Sequence, residues 1–393
     1  MRKELLLLGA FGMLTTATLC AQEFHLQPTP QEYITQKDSV DIPRQYQILS
    51  GNSVQDGPAL PLLRSLMPEE VLGASFRVYI GVKGDKIIKK YQHRIPRKSE
   101  GYFLKIEKDC IVIAGADERG AYYGVQTLAQ LLALDKLPLA EVTDYPDVPY
   151  RGVVEGFYGA PWSQEACIRQ LDFYGRNKMN VYIYGPKDDP YHRTPNWRKP
   201  YPAREGEELK VLVNRAKENN VIFYWAIHPG QDIRWNEEDR SLLLQKFESM
   251  YQLGVRGFAV FFDDISGEGT KADKQAELLN YIDDHFVKVK RDVAPLILCP
   301  TEYNKSWTDV EGGYLTTLGD KLNEGIKVMW TGDMVVATID KSTLDFVNPL
   351  LKRKAYIWWN FPVSDYVQDH LLLGPVYGNG LDVKDDMLSL IHI

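Results

Sequence analysis

From residue 150 to residue 363 the chain alternates short apolar runs with amphipathic stretches. The runs are YRGVVEGFYG (150–159), NVYIYGP (180–186), VIFYWAIHPG (221–230), GFAVFFDDI (257–265), LILCPTEY (296–303), KVMWTG (327–332) and AYIWWNFPV (355–363). Each is continuously apolar and rich in Val, Ile, Phe, Tyr or Trp, the composition of a parallel strand buried on both faces. Between them Leu209, Leu212, Val213 and Ala216 stand at i, i+3, i+4 and i+7, and Leu279, Ile282, Phe286 and Val289 repeat the stripe, so the spacing predicts helices. Repeated strand-then-helix units imply a (β/α) barrel, with an open doubly wound sheet as the alternative. Polar residues follow nearly every run, which favours the barrel, because an open sheet gathers its ligands at one switch point.

A different rhythm precedes this region. From residue 22 to about 147, β-rich runs such as SFRVYIGV and GYFLKIEKDCIVIAGA lead into one amphipathic helix, ERGAYYGVQTLAQLLAL. That is an N-terminal α+β domain of about 125 residues, joined to the barrel by the proline-containing TDYPDVPY. The class is therefore α/β, with the barrel over 148–387. The ending DVKDDMLSLIHI offers no clear strand, so the (β/α)8 TIM-type barrel is expected to lack its eighth strand and to leave open edges beside the first and seventh. LSLIHI also equals the translation of a transposase end sequence common in sequencing libraries. Residues 388–393 are therefore expected to be a tail foreign to a gene that continues further.

Composition narrows the functional classes. With 44% apolar and 25% charged residues the chain is a folded globular protein, and its net charge of −7 argues against a nucleic-acid partner. The start, MRKELLLLGAFGMLTTATLCAQEF, has a basic end, an apolar run and small residues. It reads as a signal peptide over 1–21, and so predicts a secreted or periplasmic protein; lipidation at Cys20 is the alternative, disfavoured by Leu19. No later segment approaches membrane-spanning length. Cys110, Cys167 and Cys299 have neither disulfide-framework nor metal-site spacing and read as small buried hydrophobes, with Cys299 close enough to a strand end to line a pocket.

In a barrel the reacting groups project from the carboxyl ends of the strands. Those ends supply Gly156, Lys187, His228, Asp263, Asp264, Tyr303, Thr331, Trp358, Asn360 and Asp365. Carboxylates, aromatics and amides in this mixture suit a neutral hydroxylated ligand such as a sugar. Several have plainer readings: Lys187 as a solvated loop residue, His228 as a structural histidine, Tyr303 and Trp358 as core aromatics, Asp365 as a helix cap. The adjacent pair Asp263 and Asp264 is harder to explain structurally, since two neighbouring carboxylates repel and desolvate each other. In a regular strand they would also face opposite ways.

RGVVEGFYGAPWS, FFDDIS, TEYNKSW and WWNFPVSD, in that order, resemble the motifs of glycoside hydrolase family 84, the β-N-acetylglucosaminidases often called O-GlcNAcases, some of whose members bear the name hyaluronidase. The resemblance implies exo-acting removal of β-linked N-acetylglucosamine with retention, the substrate's 2-acetamido oxygen acting as nucleophile through an oxazoline. It assigns Asp263 to the acetamido N–H and Asp264 to general acid and base catalysis. Tyr303, Thr331 and Trp358 would hold the acetamido group, and Gly156, Lys187, Asn360 and Asp365 the ring hydroxyls. It implies no metal or organic cofactor. The implied partners are N-acetylglucosamine-bearing glycans or glycoproteins, with no nucleic acid and no membrane span; the oligomeric state is not readable. The family's further hydroxyl-binding asparagine, from the eighth strand end, has no counterpart in this sequence. Two other readings stand beside this one: a non-catalytic N-acetylglucosamine-binding protein, and a retaining glycosidase with a carboxylate nucleophile, for which Glu302 is the nearest candidate.

Overall fold

The computed structural model describes residues 25–67, 69–367, 369–374 and 378–393. The signal-peptide reading of residues 1–21 lies outside them. The N-terminal part contains β1 (Glu32–Val40), β2 (Gln47–Ser50), α1 (Ala59–Leu66), β3 (Arg77–Val82), β4 (Tyr102–Ile106), β5 (Cys110–Gly115), α2 (Glu118–Leu132) and β6 (Leu137–Asp144). Its strands form one sheet in the order β1-β6-β4-β5-β3-β2. The predicted amphipathic helix is α2, opened by Asp117, whose side chain accepts from Gly120 N–H. Leu128 and Leu131 of α2, with Leu60 and Leu63 of α1, pack on the sheet through Val78, Leu104 and Ile113.

The rest of the described chain builds the barrel. In order come β7 (Tyr150–Glu155), α3 (Gln164–Arg176), β8 (Val181–Tyr184), α4 (Ala203–Glu218), β9 (Ile222–Ile227), α5 (Glu237–Gln252), β10 (Gly257–Phe261) and α6 (Ala272–Ile282). Then follow β11 (Ile297–Cys299), α7 (Tyr314–Lys321), β12 (Lys327–Trp330), α8 (Lys341–Leu351), β13 (Ala355–Trp359) and β14 (Met387–His392). All seven apolar runs contain strands, but each strand stops short of its run's carboxyl end. The remainder of each run is loop at the mouth of the barrel.

The expected missing strand is a correction. The barrel is closed, β10-β11-β12-β13-β14-β7-β8-β9, with β14 parallel to both β13 and β7. Residues 388–392, read as a foreign tail, fall within that eighth strand. Six residues with alternating burial suffice for it, and Ser389 bonds the Ile357 carbonyl at 3.1 Å. Pairing on both sides removes the open edges expected beside the first and seventh strands. One helical stripe also needs correction: Leu279 and Ile282 are buried in α6, but the helix widens to a π turn over Asp283–Val287 and Val289 is 69% exposed. The wider turn rotates the register, so the last apolar residue of the stripe leaves the core face.

Strand alternation sorts the barrel core into two layers. Phe258, Val260, Ile357 and Trp359 pack outward against the helices. Ala259, Phe261, Tyr356 and Trp358 fill the interior with Val154, Ile183, Met329 and Ile391. The two parts of the chain are joined by one buried and one half-buried ion pair. Glu100 accepts from Arg151 Nη2 at 2.6 Å and from Asn180 Nδ2 at 2.9 Å, and Lys178 Nζ bonds Asp144 and the Tyr102 hydroxyl, each at 2.8 Å. Cutting Glu100 back leaves the Arg151 guanidinium without its carboxylate. Glu100→Ala is therefore expected to lower stability by about 3 kcal/mol, read as a reduced urea midpoint. A midpoint equal to that of the unaltered chain would show that this pair does not hold the two parts together.

Candidate active site

All nine residues assigned to catalysis or substrate binding from sequence line one cavity of about 550 Å³ at the carboxyl ends of the strands: Gly156, Lys187, Asp263, Asp264, Tyr303, Thr331, Trp358, Asn360 and Asp365. Parity brings most of them there. Val154, Ile183, Phe261, Cys299, Met329 and Trp358 face the interior, and Gly156, Lys187, Asp263, Tyr303, Thr331 and Asn360 continue the same odd or even count beyond the strand ends.

Asp264 breaks that count and still reaches the cavity. Its φ is +54°, left-handed, so the chain reverses its alternation immediately after Asp263. Asp tolerates this region better than most residues. The exposed Asp264 carboxylate accepts from the Tyr158 hydroxyl at 2.9 Å and from the Tyr303 hydroxyl at 2.8 Å. Burial, with the nearby Asp264 charge, pushes both phenols above their ordinary range, so both remain donors.

Asp263 is 5% exposed and Lys187 3%. Oδ2 of Asp263 accepts from Lys187 Nζ. His228 Nε2 donates to the Asp263 carbonyl at 2.7 Å and lies 3.5 Å from Oδ1. That proton is committed to the carbonyl, and Oδ1 has no hydrogen-bond partner. Burial alone would raise the Asp263 pKa, but the Lys187 charge outweighs it and holds the carboxyl well below the usual range. The site thus contains a fixed, ionised carboxylate with one oxygen unmet. His228 is only partly satisfied, since its Nδ1 also lacks a partner.

The other expected groups behave as follows. Trp358 donates its indole N–H to Asn360 Oδ1 at 2.8 Å, and Asn360 donates to the Val335 carbonyl at 2.7 Å, so part of the amide already fixes the cavity wall. Thr331 Oγ1 donates to the Met334 carbonyl at 3.0 Å. Asp365 Oδ2 accepts from Tyr158 N–H at 3.0 Å. At Gly156 an added Cβ would stand 2.6 Å from the Trp358 ring; here the glycine makes room for an aromatic wall. Glu302, the alternative nucleophile, accepts from Asp309 N–H at 3.1 Å and is not among the cavity-lining residues. The end of β14 contributes Ile393 to the lining, an apolar group where the family resemblance implies an amide.

Cys299, read from sequence as a small buried hydrophobe close enough to a strand end to line a pocket, lines the cavity while remaining in the interior core. Two residues were not singled out from sequence. Tyr158 lines the cavity and contacts two of its carboxylates. Glu155, fully buried on β7, accepts from Trp162 N–H at 2.7 Å and from the Tyr182 hydroxyl, and so fixes both ends of the loop carrying Gly156 and Tyr158. Burial raises its pKa. The motif EGFYGAPW contained the signal, an acidic residue inside an apolar strand, which is costly unless paired. Among the described residues no group of three or more His, Cys, Asp or Glu could hold a metal ion, and no helix is long and apolar enough to cross a membrane.

An eight-stranded parallel barrel behind a small α/β domain, with acidic and aromatic groups at the strand ends, defines a glycosidase-type barrel. The family model described as beta-N-acetylglucosaminidase matches residues 151–392, and that for glycosyl hydrolase family 20, domain 2, matches residues 23–145. The chain belongs to the beta-N-acetylglucosaminidase family, glycoside hydrolase family 84. It is similar to the solved structure of CpGH84B, with a TM-score of 0.88 and 35% identity over 93% of this chain and 67% of that one. It is also similar to CpGH84D, with a TM-score of 0.83 and 27% identity over 94% and 66%. Protein O-GlcNAcase of Rattus norvegicus is 36% identical over 242 residues, 59% of this chain and 26% of that protein. A beta-hexosaminidase of Vibrio vulnificus is 29% identical over 167 residues, 42% of this chain and 19% of that protein. The chain spans about a quarter of the length of the curated O-GlcNAcases it matches.

The Lys187 to Asp263 pair makes a prediction that depends on pH. Lys187→Met is expected to cost about 3 to 5 kcal/mol at neutral pH, because it strands a buried charge. The folded pKa of Asp263 is depressed in the unaltered chain, so its contribution is present above the unfolded carboxylate range near pH 4 and is lost below it. In the variant, burial acts without its counter-charge and protonation relieves it. The stability difference should therefore narrow as pH falls toward about 4. Urea unfolding of both proteins across pH measures this, and a difference independent of pH would contradict it.

Proposed function

We propose that the protein is an exo-acting glycoside hydrolase that removes β-linked N-acetylglucosamine with retention, by substrate-assisted catalysis. The observation that carries this reading is the unequal pair in one cavity: Asp263 buried, ionised and with Oδ1 unmet, and Asp264 exposed and reachable. A buried carboxylate oxygen without a partner suits an N–H donor brought by the ligand. The 2-acetamido N–H supplies one.

In the proposed reaction the acetamido N–H donates to Asp263. This orients the acetamido oxygen beneath the anomeric carbon and stabilises the positive charge that develops on the amide. The oxygen lone pair forms the new bond to the anomeric carbon as the glycosidic bond breaks, and Asp264 delivers its proton to the departing oxygen. The bicyclic intermediate is an oxazoline, with the amide proton shared toward Asp263. Asp264, now a carboxylate, takes a proton from water as the water attacks the anomeric carbon from the face the leaving group vacated; the bond from that carbon to the acetamido oxygen breaks, and the amide nitrogen regains its proton. The scheme departs from the usual two-carboxylate pattern because the substrate provides the nucleophile.

Tyr303, Trp358 and Thr331 would bound the acetamido group. Asp365, Asn360 and the free donors of Lys187 would bind ring hydroxyls. N-acetylglucosamine-bearing glycans or glycoproteins are the proposed substrates. The basic and apolar start of the sequence supports a secreted or periplasmic setting, where extracellular glycans are the first met.

Hydrolysis of aryl N-acetyl-β-glucosaminides is the direct test, with the β-anomer expected as first product by NMR. Asp264→Ala is expected to slow poor leaving groups by about 10²- to 10⁴-fold and to spare acidic ones. Asp263→Ala should slow good and poor leaving groups alike. Equal losses across the series in both variants would refute the assignment. A trapped covalent glycosyl-enzyme would refute the nucleophile, and absence of turnover by the unaltered protein would favour a binding role.

A further inference from the structure

Each oxygen of Asp264 accepts a hydrogen bond from one phenol. A carboxyl that must turn its proton toward a glycosidic oxygen does so more freely once one of these bonds is released. The two phenols are held very differently. Tyr303 is 6% exposed and its ring lies 4.9 Å from Trp307, whereas Tyr158 is 47% exposed, with the Lys187 ammonium 5.8 Å from its ring centroid. Tyr158 is followed by Gly159, at φ +107° with open space where a Cβ would stand. Its loop is pinned at the far end by the Glu155 to Trp162 bond. The backbone N–H of Tyr158 meanwhile donates to Asp365 Oδ2.

We propose that Tyr158 is a latch: its hydroxyl restrains Asp264, and ring hydroxyls that engage Asp365 loosen the Tyr158 backbone and release the acid. Tyr158 is thereby a positioning residue that couples recognition of the sugar ring to delivery of the proton. The coupling is physically direct, because one residue bridges the two carboxylates through its backbone and its side chain. The inference rests on Asp264 being the general acid.

Tyr158→Phe keeps the ring and removes only the latch bond. Steady-state kinetics with phenyl and dinitrophenyl N-acetyl-β-glucosaminides read the effect as a ratio. The phenyl substrate, which needs the proton, should gain about five- to tenfold in kcat/KM relative to the dinitrophenyl substrate, since no charge-assisted bond has to be broken first. An unchanged ratio, whatever the common change in rate, would make Tyr158 a loop support and overturn the latch. A lowered ratio would mean that Tyr158 assists the acid, and overturns it too. Asp264→Asn on the same two substrates separates the levels. If its loss does not depend on leaving group, the acid assignment falls and the latch with it; if it does, a flat Tyr158→Phe ratio sinks the latch alone. A second measurement does not need turnover: in crystals soaked with N-acetylglucosamine, the Tyr158 hydroxyl should move out of hydrogen-bond distance of Asp264, and retention of the 2.9 Å contact overturns the proposal.

Discussion

The cavity depends on a buried ion pair that could not be dismantled singly. Lys187, beyond β8, and Asp263, beyond β10, meet with almost no access to water. Either charge left alone there would carry a desolvation penalty of several kcal/mol. The pair is close to neutral in net stability but severe in its geometric demand: it requires β8, β9 and β10 to keep their register, because His228 from the end of β9 also closes on the Asp263 backbone. A fixed carboxylate with one oxygen unmet is a poor structural element and a good preorganised acceptor. Its orientation is settled at folding, before any ligand arrives.

The same economy extends outward. Glu155, inside a strand that otherwise reads as core, is tolerated because it ties Trp162 N–H and the Tyr182 hydroxyl, and that tie holds the loop on which Gly156 and Tyr158 sit. Arg151 and Asn180, at the amino ends of β7 and β8, are locked by Glu100 of the N-terminal part. Lys178, just before β8, is locked by Asp144. The small domain therefore braces the end of the barrel opposite the cavity. Its contribution to the site is indirect: it sets where the first two strands begin, and strand parity carries that placement to their carboxyl ends.

Much of this was legible in the sequence, for a physical reason. A parallel barrel buries both faces of each strand, so its strands stand out as short apolar runs, and the polar residues that follow them at matching parity are the ones that share the cavity. Lys187, Tyr303, Thr331 and Asn360 could be placed in that way. What escaped was information that pattern does not carry. The eighth strand is six residues of Leu, Ile, Met, Ser and His after an acidic stretch, and it becomes a strand only because β13 and β7 offer it two partners. Val289 left its stripe because a π turn changed the period. Tyr158 matters through bonds to residues far along the chain, and no local periodicity marks those.

Asp264 shows the limit most clearly. Alternation predicts that of two adjacent aspartates only one should enter a cavity, and for Phe261, Phe262 and Asp263 alternation holds: Phe261 packs inward, Phe262 outward, Asp263 inward again. The next residue escapes the rule by leaving the β region for a left-handed φ, at a cost on the order of 1 kcal/mol for a residue other than glycine. Two charge-assisted hydrogen bonds from tyrosine offset that cost. The turn converts a repulsive pair on opposite faces into two carboxylates of unequal burial on one face. A neighbouring cation keeps the first ionised in spite of its burial. The second stays exposed at the cavity, held only by two phenol donors, so the difference between the neighbours follows from one backbone angle.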